Sequence, residues 1–197
     1  AFASVNYTVS DKLKLRGGVR YTDDKKDFAA SHVETTTSGP HRIHSDSTNV
    51  SWDASGTYSL TTDTNLFARV ASGYRAPSMQ GRLFGLADRP SFADAEKALS
   101  VEAGIKQELF DRRARMSATV FQYRVKDKQL TAGSGTINMN QLINADKVTG
   151  QGVELDFQAN LSESLNMSLG GSYNETEIKD ANLFVQTCGN FPNTAGV

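Results

Sequence analysis

The stretch LKLRGGVRY, from Leu13 to Tyr21, decides the fold, because apolar and polar residues alternate along it. A period of two predicts a β-strand with one apolar face. A compact polar turn at residues 10–12 precedes the stretch, and a tyrosine on its apolar face ends it. Such a tyrosine suits a membrane interface, where the ring contacts lipid and the hydroxyl contacts water. The stretch therefore predicts a strand that crosses a membrane.

The other tyrosines repeat this arrangement along the chain. Tyr74, Tyr123 and Tyr173 follow Tyr21 at steps of 53, 49 and 50 residues, and each ends a similar alternating run. Tyr7 and Tyr58 instead lie just before a short turn. The pattern predicts two girdles at the two membrane interfaces. The extracellular girdle would contain Tyr21, Tyr74, Tyr123 and Tyr173, and the periplasmic girdle Tyr7 and Tyr58.

About eight strands are predicted. In each of them every second residue is apolar, so one face of the strand is apolar. They cover residues 1–9, 13–22, 50–60, 66–75, 99–106, 118–125, 152–158 and 165–174. The sixth strand is the least regular, since Val120 lies on its polar side. Its apolar face is taken to be Thr119, Phe121, Tyr123 and Val125.

The connections alternate between short turns and long polar stretches. The short turns are residues 10–12, 62–64, 111–113 and 162–164, and the long loops are residues 23–47, 76–97, 126–146 and 179–197. Short turns at one rim and long loops at the other are typical of outer-membrane barrels. We therefore expect an all-β fold, an antiparallel up-and-down transmembrane β-barrel that exposes its apolar face to outer-membrane lipid.

The composition excludes several classes of protein. No run approaches the 18 or so apolar residues of a membrane helix, and the net charge of −1 gives no basic surface for nucleic acid. No nucleotide-binding fingerprint or catalytic triad is recognisable, so neither an enzyme nor a cofactor is expected. The single cysteine, Cys188, excludes a disulfide within the chain and lies in a predicted outer loop.

Other folds remain open at this stage. A soluble antiparallel sheet, binding carbohydrate or protein, also alternates, but it does not explain tyrosines at both rims. A propeller with a similar period needs four strands per repeat, and only two are present. A self-contained eight-stranded barrel, serving as an anchor or adhesin, is the closest alternative.

Five segments resemble TonB-dependent receptors in sequence and in order. They are Gly17–Lys26, Leu66–Ser78, Glu96–Lys106, Glu108–Phe121 and Asn144–Leu155. The resemblance implies a receptor of the bacterial outer membrane whose barrel has 22 strands and a plugged lumen. The family's N-terminal plug domain, its TonB-binding segment and its closing strand are not recognised here. Residues 1–197 are therefore interpreted as one partial barrel domain, truncated at both ends.

The resemblance also implies partners and a function. The parent receptor would bind a scarce nutrient, such as an iron chelate, vitamin or oligosaccharide, and would import it with energy relayed through TonB. The missing plug domain and the remaining barrel strands would be its other contacts.

Four arginines near the fourth strand and its loop are the candidate ligand-binding residues: Arg69, Arg75, Arg82 and Arg89. Guanidinium groups suit anionic chelates, although solvated loop residues are the simpler interpretation. The three histidines, His32, His41 and His44, share one predicted loop, but a metal site needs three or four ligands, so none is predicted. The opposite parity of the strands predicts lumen-facing residues: Glu102, Gly104, Lys106, Gly152, Glu154, Asp156 and Gly170.

Overall fold

The computed structural model describes residues 1–30, 41–81, 90–133 and 140–183, which are strands and their connections. The strands are β1 (Phe2–Thr8), β2 (Leu13–Ala30), β3 (His41–Ser59), β4 (Thr64–Arg75), β5 (Ser78–Gln80), β6 (Ser91–Ala93), β7 (Glu96–Leu109), β8 (Ala114–Gly133), β9 (Asn140–Ser162) and β10 (Leu165–Ile178). The eight long strands match the eight that the alternation predicted, whereas β5 and β6 were not predicted.

The long strands form one antiparallel sheet in the order β1-β2-β3-β4-β7-β8-β9-β10, and β5 and β6 pair with each other. Every long strand pairs with the next long strand in the chain, so the topology is up-and-down. In the ranges described, β1 and β10 are the edges and do not pair with each other. The alternative of a self-contained eight-stranded barrel is therefore wrong, and the sheet is an open section of a larger barrel wall. No helix in the described ranges is long and apolar enough to span a membrane.

The outer face of the sheet carries the apolar residues, including Leu15, Val70, Leu155 and Leu169. Leu15, Leu155 and Leu169 are 43%, 55% and 60% exposed, and Val70 is half-buried. No large side chain among the described residues is fully buried. An apolar surface of this extent cannot face water in a soluble protein. The face therefore needs an apolar partner, and hydrocarbon is the partner that the alternation and the tyrosines predicted.

One row of paired residues shows that the strands are staggered. It crosses the outer face through Tyr7, Leu15, Gly56, Ala68, Ala103, Val120, Val153 and Tyr173. On β2 this row lies two residues from the strand start at Leu13, whereas on β10 it lies eight residues from Leu165. Such a stagger is what closure into a tilted barrel requires. It also lets Tyr7 and Tyr173 share one row while they lie near opposite rims.

Two of the predicted long loops are mostly strand. β2 continues to Ala30 and pairs with β3 from His41, and β8 continues to Gly133 and pairs with β9 from Asn140. The loop predictions for residues 23–47 and 126–146 are therefore wrong over most of their length. These hairpins are mostly polar, and their few apolar pairs, Phe28–Ile43 and Leu130–Ile143, do not form an alternating apolar run. Backbone pairing holds them as ladders that rise beyond the apolar band.

The orientation predicted for the sixth strand is also wrong. Register with β7 and β9 places Ala118 and Val120 on the outer face, opposite Ile105 and Ala103. Phe121 and Tyr123 lie on the inner face, where Tyr123 pairs with Gly150. Tyr123 therefore does not belong to the lipid-facing girdle. The prediction failed because both parities of this strand carry apolar residues, and only the neighbouring strands decide between them.

Candidate functional site on the inner face

The inner face, opposite the apolar one, is a polar wall. Strand pairing confirms the predicted lumen-facing positions on β7, β9 and β10, which are Glu102, Gly104, Lys106, Gly152, Glu154, Asp156 and Gly170. The Lys106 ammonium lies 5.3 Å from the centre of the Phe67 ring, which holds the cation over an aromatic face. Charged groups on this face contact water or other protein rather than lipid.

Arg69 lies in the middle of this wall, with Nη1 3.4 Å from Oε1 of Glu102 on β7. Arg69, Arg16 and Arg20 line one shallow depression of about 440 Å³ on the inner face. Asp53 lies beside them, and a Cβ at Gly18 would be only 2.5 Å from its Oδ1, so the glycine leaves room for the carboxylate. The depression thus combines three guanidinium groups with one carboxylate.

Sequence reasoning missed Arg16 and Arg20 as candidate site residues. They lie on β2, and β3 separates them from Arg69 on β4, so no local motif joins the three. The available signal was that Arg16 and Arg20 alternate with the apolar Leu15 and Val19, which places them on the polar face of β2. It assigns a face, but only the register of three strands brings the arginines to one depression.

Arg75 lies six residues beyond Arg69 on the same face of β4, about 20 Å further along the strand. Its Nη1 is 4.0 Å from Oε2 of Glu96, whose Oε1 is 3.3 Å from the Lys128 ammonium. The structure therefore does not bring Arg69 and Arg75 into contact with each other. Arg82 and Arg89 lie outside the described residues.

A buried glutamine fixes the base of the connection that carries Arg82 and Arg89. Gln129 of β8 is 6% exposed. Its Nε2 donates to the carbonyl oxygens of Ala76 and Asp94, at 2.8 and 2.9 Å, and its Oε1 accepts from the Ser78 hydroxyl at 2.7 Å. Its backbone N–H donates to Glu96 Oε2 at 3.0 Å. One side chain thus joins both ends of the β5–β6 hairpin to the wall.

Asn144, paired with Gln129 on β9, makes a second attachment. Its Oδ1 accepts from the Asp94 backbone N–H at 2.7 Å, and its Nδ2 donates to the Asp94 carbonyl at 3.0 Å. The Ser91 hydroxyl accepts from the Leu142 N–H at 2.9 Å. The β5–β6 hairpin is therefore fixed to the inner side of β8 and β9, at the rim of the long connections. The segment between residues 81 and 90 starts and ends at this fixed base.

Five of the six tyrosines lie on the outer face: Tyr7, Tyr21, Tyr58, Tyr74 and Tyr173. Tyr7 and Tyr173 are each 64% exposed, whereas Tyr74 is half-buried and its hydroxyl bonds to that of Ser47. Their assignment to membrane-interface girdles remains a prediction. Tyr123, on the inner face, bonds through its hydroxyl to Thr176 Oγ1 at 2.9 Å.

The histidines and the cysteine do not form a site among the described residues. His44 lies on β3, not in a loop, and its Nδ1 is 2.7 Å from Oδ1 of Asp27. His41 begins the same strand, and His32 and Cys188 lie outside the described residues. No group of three or more potential metal ligands occurs in the ranges that the structure covers.

Comparisons with known proteins agree with this architecture. The family profile described as "TonB dependent receptor-like, beta-barrel" matches residues 1–195. The chain is 29% identical to the pesticin receptor of Yersinia pestis over 189 residues, which are 93% of the chain and 27% of that receptor. The chain thus spans about a quarter of the length of the curated relatives it matches.

Solved structures show the same fold. The ferric yersiniabactin uptake receptor FyuA from Yersinia pestis superposes with a TM-score of 0.72 at 24% identity, over 90% of this chain and 26% of that one. The siderophore receptor PiuA from Acinetobacter baumannii gives 0.70 at 16% identity, over 95% and 26%. Each match covers about a quarter of a receptor barrel protein, as expected of an open wall section. The chain therefore belongs to the TonB-dependent receptor family, as part of the β-barrel that such receptors form in the bacterial outer membrane.

Proposed function

We propose that this chain is a wall section of a receptor that imports a scarce nutrient, a ferric siderophore above all, by transport that TonB energises. The observation that carries the proposal is the β5–β6 hairpin fixed to the inner face of a sheet whose outer face is apolar and exposed. The ferric yersiniabactin uptake receptor, which the chain resembles, supports an iron chelate as cargo. In this proposal residues 1–197 are one partial barrel domain, and a plug domain and the remaining strands complete the receptor.

The wall has a physical task rather than a chemical one. Its strands satisfy their backbone hydrogen bonds against each other, which hydrocarbon demands because it offers no polar partners. Its inner face gives the ligand and the plug a polar, water-filled path. The proposed role therefore requires no covalent chemistry, no catalytic residue and no cofactor.

Arginines would give this wall its preference for anionic chelates. Arg16, Arg20 and Arg69 line the depression, and Arg75 lies nearer the fixed hairpin. The Arg69 and Arg75 side chains are about half exposed, so each can contact a ligand in addition to its glutamate partner. Arg82 and Arg89 would add to them from the segment that the hairpin carries. Guanidinium pairs recognise the carboxylate or phenolate oxygens of such chelates through charge-assisted bonds.

Uptake of radioactive iron chelates by cells that express the whole receptor tests the proposal. Binding to the cells is expected with or without TonB, whereas accumulation inside is expected only with TonB. A panel of ferric siderophores with no bound member would contradict a siderophore cargo. Accumulation that is independent of TonB would contradict the energy-coupled mechanism.

Paired substitutions test the arginines separately. The variant Arg69→Gln/Arg75→Gln is expected to weaken chelate affinity on the order of tenfold or more, since each lost charge-assisted bond contributes about 1.5–3 kcal/mol. Arg112→Gln, in the short turn at the opposite rim, is the control and should leave affinity unchanged. Unchanged affinity in the double variant would remove the arginines from the ligand site and would leave the transport proposal intact.

A further inference from the structure

Four lysines occupy one row of the outer face, three on the adjacent strands β7, β8 and β9 and one directly after β10. Lys97 of β7 pairs with Lys126 of β8, and Lys126 pairs with Lys147 of β9. The row ends at Lys179, just past β10, whose backbone N–H donates to the Lys147 carbonyl at 2.7 Å. This lysine row spans three strand spacings, or about 14 Å.

Strand parity places the lysine row above the apolar band. Lys97 shares a face with Leu99 and Val101, and Lys126 shares a face with Val120. Below the row, Arg124 adds a fifth cation between Leu99 and Thr149. The side chains of Lys97, Lys126 and Lys179 are exposed, and that of Lys147 is half-buried. These cations therefore face the layer just outside the hydrocarbon, where lipid headgroups lie.

The row is electrostatically unfavourable within the chain itself. Directly opposite like charges destabilise an antiparallel pair, and here two such pairs follow each other, Lys97–Lys126 and Lys126–Lys147. Among the described residues, no carboxylate forms an ion pair with any of these three lysines.

The acidic residues of the same face lie mainly at one end of the row. Glu177 pairs with Lys179 at 2.8 Å, and Glu175 accepts from Gln151 at 3.2 Å. Lys97, Lys126, Lys147 and Arg124 form no ion pair with any carboxylate of the described residues.

The strands β2 and β3, nearer the opposite edge of the sheet, provide a contrast on the same outer face. On the outer face of β2, Lys25 lies four residues beyond Tyr21 and pairs with Asp46 of β3 at 3.8 Å. Charges there alternate in sign and compensate each other. A concentration of unpaired cations is thus a local property of β7 to β10, not a general feature of the rim.

We propose that the lysine row binds the phosphate groups of anionic lipid headgroups in the outer leaflet. Lysine ammonium groups act as point charges toward phosphate, and basic clusters beside a membrane-spanning element recognise anionic headgroups. The charge of the row is complementary to phosphate, and its length can span more than one phosphate group. A ligand on its way through the lumen does not reach this face, so the bilayer itself is the partner.

The experiment uses the whole receptor, purified in a neutral detergent, and lipid A as the probe. Native mass spectrometry would count the bound lipid during a titration with diphosphorylated lipid A and with a fully dephosphorylated form. The variant Lys126→Gln/Lys147→Gln is expected to bind the diphosphorylated lipid about 30-fold more weakly, at about 1 kcal/mol per lysine. The dephosphorylated form should bind weakly to both proteins.

Two control variants test whether a loss of lipid binding is specific to the lysine row. Lys14→Gln/Lys25→Gln removes the same charge from the inner face and from a compensated pair, and its lipid affinity should match the wild type. Lys126→Arg/Lys147→Arg keeps the charge and should restore binding, and it remains informative if the glutamine variant does not fold. Equal affinity in wild type and the Lys126→Gln/Lys147→Gln variant, or an equal loss in the Lys14→Gln/Lys25→Gln control, would overturn the proposal.

Two further readouts separate this inference from others. Millimolar inorganic phosphate should not displace the lipid, and displacement would indicate a site for free phosphate instead of a headgroup. Binding of a ferric chelate should be the same in the glutamine variant and the wild type. The proposal that the lysine row binds lipid can therefore be wrong while the transport proposal holds, and the transport proposal can be wrong while lipid binding holds.

Discussion

Individual glycines on the inner face make room for aromatic rings of the neighbouring strand. A Cβ at Gly104 would lie 2.7 Å from the Phe67 ring, and a Cβ at Gly152 would lie 2.6 Å from Cζ of Phe121. Tyr123 covers Gly150 in the same way. Rings placed over strand glycines recover packing that a glycine alone does not provide. The pairs at Gly150 and Gly152 explain why β8 turns two aromatic residues away from lipid.

Gly152→Ala should destabilise the barrel by about 1–3 kcal/mol, as overpacking does. The new Cβ would meet both the Phe121 ring and the backbone carbonyl of Tyr173, and a paired strand cannot move away easily. Gly171→Ala is the matched control on β10, since no atom of the described residues lies within 4 Å of its Cβ position. The urea concentration at half-unfolding, measured for the whole receptor in detergent, should fall for the first variant alone. Equal midpoints would show that the wall adapts to the clash.

Gln129 attaches the β5–β6 hairpin to the rim of the long connections, so its substitution should loosen that hairpin. Gln129→Leu removes hydrogen bonds to Ala76, Ser78 and Asp94 in a buried position, and unsatisfied groups there cost about 1–3 kcal/mol each. Proteolysis between residues 78 and 93 should therefore accelerate in the whole receptor, while the barrel midpoint changes little. Gln122→Leu, exposed on the outer face of the same strand, is the control. Equal cleavage rates in both variants would mean that the Asn144 attachment suffices to hold the hairpin.

At the scale of elements, the sequence predicts strands best where lipid imposes an apolar face. The cores of all eight long strands were predictable from alternation, as were the short turns. The ladders above the apolar band were not, because polar residues dominate both faces and the few apolar pairs, such as Phe28–Ile43 and Leu130–Ile143, form no alternating run. The orientation of β8 was not either, because Val120 and Phe121 are apolar on opposite faces.

The candidate site shows the same limit. Arg69 and Arg75 were proposed from their place near a long connection, and their role in ligand binding stays a prediction. The position of Arg16 and Arg20 beside Arg69 depends on the register of β2, β3 and β4, which no local pattern gives. The Gln129 attachment joins residues about 50 positions apart in the chain. No local pattern encodes such contacts.

Spin labels test the reversed orientation of β8 directly. Single cysteines at Val120 and Phe121, in a Cys188→Ser receptor in lipid, would carry the nitroxide. Oxygen concentrates in hydrocarbon and a nickel chelate stays in water, so the ratio of oxygen to nickel accessibility should be higher at 120 than at 121. Leu155 and Glu154 calibrate the measurement, because alternation and structure agree on their faces. A higher ratio at 121 would restore the orientation predicted from alternation.

The whole molecule is a lipid-facing wall with two open edges. β1 and β10 each present backbone groups that no described strand pairs, and the residues of β1 are all exposed. The strands are staggered from Tyr7 to Tyr173 as in a tilted barrel, and further strands are needed to close that barrel. Stability therefore depends on neighbours that lie beyond both edges and on lipid against the outer face.

Expressed alone, the 197-residue chain is accordingly expected to aggregate in detergent-free buffer. Unpaired edges template strand addition, and the apolar outer face has no partner in water, so association between copies is favoured over a soluble monomer. Sedimentation velocity should show large species in buffer and smaller ones in detergent, and the whole receptor in detergent is the control for correct folding. A monomer in plain buffer that melts sharply and reversibly would contradict the lipid-facing assignment, because only an interior sealed from water could give such a transition.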